Sequence, residues 1–317
     1  MSQTADMTVD FELDTWMRER LDRVERALEA WITAEAPQGV DHGAPAALVE
    51  AMRYAVLDGG KRLRPLLVLA AHEAVAELGH GCDAAALRAA CAVELIHAYS
   101  LVHDDMPCMD NDVLRRGKPT VHVKYGEAQA MLAGDAMQAL AFEVLTPDEE
   151  AAMPAALQAR LCGLLARSAG HAGMAGGQAI DLASIGRALD EDALRDMHRR
   201  KTGALLQASV QMGAACGPCS AQAWQALGDY GAAIGLAFQV VDDILDVTQA
   251  SETLGKTAGK DQDHNKPTYV SLLGLRAARQ HAEELRQQAH AALGRSGLGA
   301  AAGWLAVLAD KVVEREH

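Results

Sequence analysis

Three carboxylates stand close together in Asp242-Asp243-Ile244-Leu245-Asp246, at the end of the mostly apolar run Gly235 to Val241. At about 100° per residue, a helix carries them at roughly 0°, 100° and 40°, on one arc of its surface. Carboxylates crowded in this way repel one another and call for a cation, and hard oxygen ligands favour Mg2+ or Mn2+. Alone, the motif reads equally well as the solvated acidic end of an amphipathic helix. A second cluster shifts that balance: His103-Asp104-Asp105-Met106-Pro107-Cys108-Met109-Asp110-Asn111-Asp112 closes another apolar stretch that begins near Leu87. In an unbroken helix Asp110 would lie about 240° from Asp104, too far round to share an ion with it. Pro107 removes a backbone donor and disfavours helical geometry at Met106, which predicts that the helix ends there and Asp110 folds back. Two Asp-rich helix ends suggest facing clusters with several ions between them. Mg2+ keeps waters and takes a few carboxylates plus substrate phosphates, so the arrangement implies a phosphorylated substrate.

The basic residues follow the same logic. Gly59-Gly60-Lys61-Arg62-Leu63-Arg64-Pro65 sets Lys61 and Arg64 three apart after a glycine pair, where backbone donors and a helix N-terminus favour an anion. It is not a P-loop, because no Ser or Thr follows the Lys and no strand precedes it. Arg115-Arg116 follows the first acidic cluster, Lys201-Thr202 follows His198-Arg199-Arg200, and Lys256, Lys260 and Lys266 flank a Gly-containing loop beyond the second. Each alone is most often a solvated charge, but grouped beside carboxylates in an acidic chain they suit a diphosphate clamp. His97 lies two helical turns before Asp104, where a lone His usually serves the core. The His103-Asp104 pair keeps open an HD-type metal phosphohydrolase, which needs several His ligands, whereas the second cluster is purely carboxylate. Cys216-Gly217-Pro218-Cys219 spells a dithiol redox motif, but it sits between two helical stretches rather than after a strand, which favours a loop with incidental thiols.

The elements that position these groups read as helices throughout. The 317 residues include 29 Lys+Arg and 43 Asp+Glu, a formal net charge of −14, with aromatics only 4%. That charge argues against a nucleic-acid or anionic-membrane partner and, taken alone, against an anionic substrate; carboxylate-bound cations would reverse the last point locally. An Ala- and Leu-rich, aromatic-poor composition favours helices over strands. Apolar stripes with a period near 3.6 run over Phe11 to Leu28, Leu87 to Val102, Val121 to Leu145, Leu157 to Ala175, Leu189 to Ala215, Trp224 to Val247, Leu272 to Leu293 and Trp304 to Val313. No strand alternation or hairpin signal appears. The expectation is a single all-α domain over 1–317, a large bundle with buried central helices and a flexible stretch over 1–10. No signal peptide is visible, and apolar runs such as Leu66 to Ala71 fall far short of the ~18 residues a membrane span needs, so a soluble, cytoplasmic protein is expected.

With these residues in hand, the chain resembles the short-chain trans-polyprenyl diphosphate synthases, most of all the bacterial farnesyl diphosphate synthases. The resemblance runs from about Arg53 to Gly274, through Gly59 to Pro65, Glu94 to Arg116, Gly176-Gly177-Gln178 to Asp181, Lys201-Thr202-Gly203, Phe238 to Asp246 and Lys266 to Tyr269. It implies an isoprenoid-synthase-type helical bundle with a deep central cavity between the two Asp-rich helix ends, in a homodimer. It implies three Mg2+ ions per site, with Mn2+ as a substitute, held by Asp104, Asp105, Asp110, Asp242, Asp243 and Asp246. Arg115, Lys201, Thr202, Gln239, Lys256 and Lys266 would bind the allylic diphosphate, and Lys61, Arg64, His97 and Arg116 isopentenyl diphosphate. The reaction implied is condensation of isopentenyl diphosphate with dimethylallyl or geranyl diphosphate, with the released diphosphate as base. Tyr99, five residues before Asp104, would stop chain growth at the fifteen-carbon product, as would suit the two extra residues Pro107 and Cys108. The stretch Cys108 to Asp112 also reads like some geranylgeranyl synthases, and Val270 stands where a Pro is common, which keeps geranyl and geranylgeranyl products as alternatives. A terpene cyclase is disfavoured by the all-Asp second cluster, a non-catalytic prenyltransferase subunit by the presence of both clusters, and a squalene-type enzyme by Lys61 and Arg64.

Overall fold

The computed structural model describes residues 2–36, 40–57, 59–77, 79–148, 153–187, 189–248 and 268–315, with side chains from residue 12 onward. Helices dominate: α1 (Ser2–Trp31), α2 (Ala46–Val56), α3 (Leu63–Ala76) and α4 (Asp83–Asp104) precede a short hairpin, β1 (Leu114–Arg115) and β2 (Lys118–Pro119). Beyond it come α5 (Val121–Tyr125), α6 (Glu127–Leu145), α7 (Ala155–Ala169), α8 (Met174–Ala183) and α9 (Glu191–His198). A π-helical turn (Arg199–Gly203) leads into α10 (Ala204–Ala215), then α11 (Ala221–Thr248), α12 (Tyr269–Leu273), α13 (Leu275–Arg295) and α14 (Gly303–Glu314).

Several apolar stripes divide where glycine breaks the register. Gly126, at φ 87°, separates α5 from α6, and Gly274, at φ 81°, separates α12 from α13. That backbone region is open to glycine and costly to most other residues. The hairpin is a departure from the sequence reading. Arg116 (φ 52°) and Gly117 (φ 76°) form its two-residue loop, and positive φ at both central positions is the conformation a tight hairpin requires. Its strands are two residues long, too short to show any alternation.

Two apolar clusters fill the interior. One gathers α11, α13 and α14 around Tyr230, Ile234, Leu285 and Leu305; the other gathers α4 and α6 around Leu95, Ile96, Met137 and Leu145, and α3 and α10 contribute to both. The central helix α4 is long and apolar enough to cross a membrane by length and composition, with a mean hydropathy of 1.4, yet 67% of its apolar window is buried within the protein. Cys91, Leu95 and Ile96 on α4 are fully buried, which marks a core helix.

Candidate active site

Helix α4 delivers the first acidic cluster and stops where Pro107 predicts. The backbone N–H of Asp110 donates to the carbonyl of Asp104 at 2.9 Å, and the N–H of Asp112 to the carbonyl of Asp105 at 3.1 Å. The chain therefore folds back, and Asp104, Asp105 and Asp110 share one knot. Asp105 is 3% exposed, and both its carboxylate oxygens accept from Arg115: Nε lies 3.0 and 2.9 Å from Oδ1 and Oδ2, and Nη2 2.6 Å from Oδ1. A bidentate pair of this kind is charge-assisted on both sides and fixes the hairpin against the helix end. Burial pushes the carboxyl of Asp104 up to about 6; Lys201 and Arg115 oppose the shift, and Asp110 and Asp105 reinforce it. His103 turns away, its Nε2 lying 3.1 Å from the carbonyl of Met131 on α6. The HD-type reading fails there, because the imidazole faces a helix backbone instead of the acidic knot.

The second cluster lies on the last turns of α11. Asp243, also 3% exposed, accepts from Gln239 Nε2 at 3.0 Å and from the backbone N–H of Tyr269 at 2.8 Å, while the imidazole Nε2 of the buried His198 stands 4.0 Å from Asp243 Oδ2. Asp242 accepts from Arg315 Nη2 at 2.6 Å, and Arg315 also donates to the carbonyl of Phe238 and lies over its ring at 3.9 Å. Asp246 is buried on the same helix.

The π-turn joins the two clusters. Lys201 Nζ donates to Asp181 Oδ2 at 2.5 Å and its charge acts on Asp104, while Thr202 Oγ1 donates to Gln239 Oε1 at 3.1 Å, and Gln239 in turn holds Asp243. Lys201, Thr202, Gln239, Asp104 and Asp243 thus form one connected constellation. Lys256 and Lys266 lie outside the described residues.

A basic pocket adjoins it. Burial lowers the Lys61 amine, and Arg315 adds to that, whereas Asp242 raises it, which places Lys61 beside the second cluster. Arg64 is buried, with its charge set against Glu94 and Asp242. Burial, followed by Arg64, Arg116, Arg115 and Arg62, holds His97 well below the usual imidazole range, so it stays neutral at pH 7. Arg116 reaches from the hairpin loop to donate to the carbonyl of Gly59, which brings Arg116, Lys61, Arg64 and His97 to one place. Tyr99, half-buried one turn before His103, meets its ring edge-on at 5.7 Å.

Three residues that brace the site have no role that the motifs assign. Arg62, at φ 47° and 5% exposed, pairs with Glu94 at 2.6 Å and Glu25 at 2.7 Å and donates to the carbonyl of Val56. This buried pair holds a strained backbone at the start of α3, between Lys61 and Arg64. Asp181 has no role legible from its motif alone, and Arg315 carries no local signal at all. The Cys216-x-x-Cys219 motif is a loop after α10: burial pushes Cys216 up to about 12, Cys219 is also raised, and Cys216 Sγ donates to the carbonyl of Met212. Such thiols are unreactive at neutral pH.

Among the described residues, no three His, Cys, Asp or Glu side chains converge into a closed metal cage. The donor set nevertheless fits Mg2+, which is commonly held by one or two carboxylates together with substrate phosphates and water. A half-buried Asp104 with a raised pKa, beside Asp110 and Asp105, is a carboxylate group that a divalent cation would relieve.

Known proteins resemble this chain over most of its length. A probable farnesyl diphosphate synthase of Sinorhizobium fredii is 48% identical over 284 residues, covering 88% of this chain and 82% of that protein. A chloroplastic geranylgeranyl pyrophosphate synthase of Arabidopsis thaliana is 46% identical over 282 residues, covering 88% and 75%. The solved structure of a Helicobacter pylori geranyltransferase complexed with magnesium and isoprenyl diphosphate superposes with a TM-score of 0.81 at 33% identity, covering 95% of this chain and 97% of that one. The polyprenyl synthetase family model matches residues 45–296, and the chain belongs to that family.

Proposed function

We infer that the protein is a magnesium-dependent trans-prenyltransferase that condenses isopentenyl diphosphate with dimethylallyl or geranyl diphosphate to give farnesyl diphosphate. One observation carries the reading: the Lys201-Thr202 turn ties the two acidic clusters together, with a separate basic pocket beside them. Two diphosphates need two such receptors, one lined by carboxylates and cations and one by cations with a neutral imidazole. Bound Mg2+, three ions per site with Mn2+ as a substitute, supplies charge neutralisation to the departing diphosphate through Asp104, Asp105, Asp110, Asp242, Asp243 and Asp246. Lys201, Thr202, Gln239, Arg115 and, beyond the described residues, Lys256 and Lys266 orient the allylic diphosphate. Lys61, Arg64, His97 and Arg116 hold isopentenyl diphosphate so that its double bond faces the allylic carbon at near-attack distance. On this reading, apolar side chains of α4 exclude water from the allylic cation. The released diphosphate takes the proton.

The assembly we propose is a cytoplasmic homodimer of single-domain chains, supported by the apolar residues Val123, Met131 and Leu132 left exposed on α5 and α6. Product length rests on Tyr99, on α4 before the first cluster. Incubation of the purified protein with isopentenyl diphosphate, either allylic starter and Mg2+ should give a fifteen-carbon product. Tyr99→Ala should lengthen it to twenty carbons; an unchanged product rules out the stopper role. A twenty-carbon product from the parent protein would select the geranylgeranyl reading, which the 46% identical Arabidopsis relative keeps in view.

A further inference from the structure

Two helices touch the π-turn backbone to backbone, each through one glycine. A Cβ added at Gly177 of α8 would lie 2.2 Å from the backbone nitrogen of Lys201 and 2.5 Å from its Cα. A Cβ added at Gly235 of α11 would lie 2.6 Å from the Cα of Gly203 and 3.2 Å from its carbonyl oxygen. No rotamer change relieves such contacts, because backbone stands on both sides. One helical turn beyond each glycine, on the same helix face, comes the residue that grips the turn. Asp181, four after Gly177, takes Lys201 at 2.5 Å, and Gln239, four after Gly235, takes Thr202 at 3.1 Å. The turn that carries Lys201 and Thr202 is itself π-helical, an irregularity that often marks functional positions in helices.

We propose that Gly177 and Gly235 are positioning residues for the allylic diphosphate, spacers that set how far Lys201 and Thr202 stand from Asp181, Gln239 and the two acidic clusters. The proposal rests on the placement of Lys201 and Thr202 at the allylic diphosphate. An alanine at either glycine forces its helix back by about 1 Å to restore ordinary contact, a misplacement that can cost about 100-fold when it reaches reacting groups. The isopentenyl pocket is carried by α3, α4 and the hairpin, so it stays in register.

Steady-state kinetics on the full chain with both substrates tests this. Gly177→Ala and Gly235→Ala should each raise KM for the allylic diphosphate and lower kcat, together about 100-fold in kcat/KM, with KM for isopentenyl diphosphate unchanged. Gly43→Ala is the matched control: its Cβ would lie 2.1 Å from the carbonyl oxygen of Ala34, an equally tight backbone contact in the α1–α2 connection, away from the turn and from both pockets. That variant should lower Tm while leaving both KM values alone. Adding Asp181→Glu to Gly177→Ala lengthens the carboxylate by one methylene across the opened gap and should recover part of the allylic KM, which no purely structural role predicts. The proposal is overturned if both alanine variants keep the parental allylic KM, if both KM values rise together, or if neither variant folds. Lys201→Ala separates the two levels. If it leaves allylic KM unchanged, the placement of Lys201 fails; if it raises KM while the glycine variants do not, only the spacer role fails.

Discussion

The two acidic clusters solve the same electrostatic problem with different means. In each, the second Asp is 3% exposed and fully engaged by the protein: Asp105 by the guanidinium of Arg115, Asp243 by the amide of Gln239 and the N–H of Tyr269. In each, the first Asp faces a cation, Lys201 for Asp104 and Arg315 for Asp242. The difference lies in charge and distance along the chain. Cluster one cancels the charge of Asp105 with an arginine ten residues away, on a hairpin that follows directly. Among the described residues, cluster two steadies Asp243 with the neutral donors Gln239 and Tyr269, the latter 26 residues distant, and borrows Arg315 for Asp242 from 73 residues away. Cluster one is therefore a local construction, whereas cluster two exists only once the C-terminal helices are packed.

The largest expected break in this comparison comes from the first Asp of each cluster. Asp104→Ala and Asp242→Ala should each lower kcat/KM about 10²–10³-fold with helical content intact, since on the proposed reading each removes a carboxylate that would hold Mg2+ against the departing diphosphate. Near-parental turnover in either variant would sink the metal assignment for that cluster.

Removal of the steadying partners should separate the clusters next. Arg115→Ala leaves a buried carboxylate without its bidentate partner and should destabilise the protein by about 1–3 kcal/mol. Combined with Asp105→Asn it should cost less than the two changes added, a coupling a double-mutant cycle reads directly. Gln239→Ala removes one neutral donor while the N–H of Tyr269 remains, and should cost about 1 kcal/mol. Equal losses from Arg115→Ala and Gln239→Ala in denaturant unfolding would show that the charged and neutral braces do not differ.

How much of this was legible in the sequence follows the same division. Pro107 announced the end of α4 and the return of Asp110 because the proline acts on its immediate neighbours. The helical class was legible from period and the pairing of Lys61 with Arg64 from spacing, whereas the grouping of Arg116 with them came only from the family resemblance. The hairpin was not, since strands of two residues carry no pattern, nor were the helix breaks at Gly126 and Gly274, where one positive φ interrupts an otherwise unbroken stripe. Arg315 and Asp181 look like any surface charge until packing brings Asp242 and Lys201 to them.

Cluster one should also leave a signature in pH. The carboxyl of Asp104 stands near 6 in the folded chain against an ordinary value of 3.8, so between those values the native state binds more protons than the unfolded one. Stability of the metal-free protein should therefore fall as pH rises from about 4 to about 6 and level off above, by up to about 3 kcal/mol. Asp104→Asn should flatten that slope in denaturant titrations run across the window. Mg2+ needs the ionised carboxylate, so its affinity should drop as pH falls through about 6. A slope unchanged by Asp104→Asn would place the titration elsewhere.

The smallest effect belongs to the start of α12. Thr268 accepts from the N–H of Ser271 at 3.0 Å and its own N–H donates to Ser271 Oγ at 2.9 Å, a reciprocal cap that sets the first helical N–H, that of Tyr269, on Asp243. Thr268→Ala should cost about 1 kcal/mol, a shift of about 2–4 °C in Tm for a chain of this size. Thr268→Ser keeps the hydroxyl and should recover most of it. Because Gln239 still holds the other oxygen of Asp243, the loss must stay below that of Arg115→Ala. A larger loss would mean that Tyr269 alone braces the second cluster, and that its carboxylates depend on one backbone contact rather than on two.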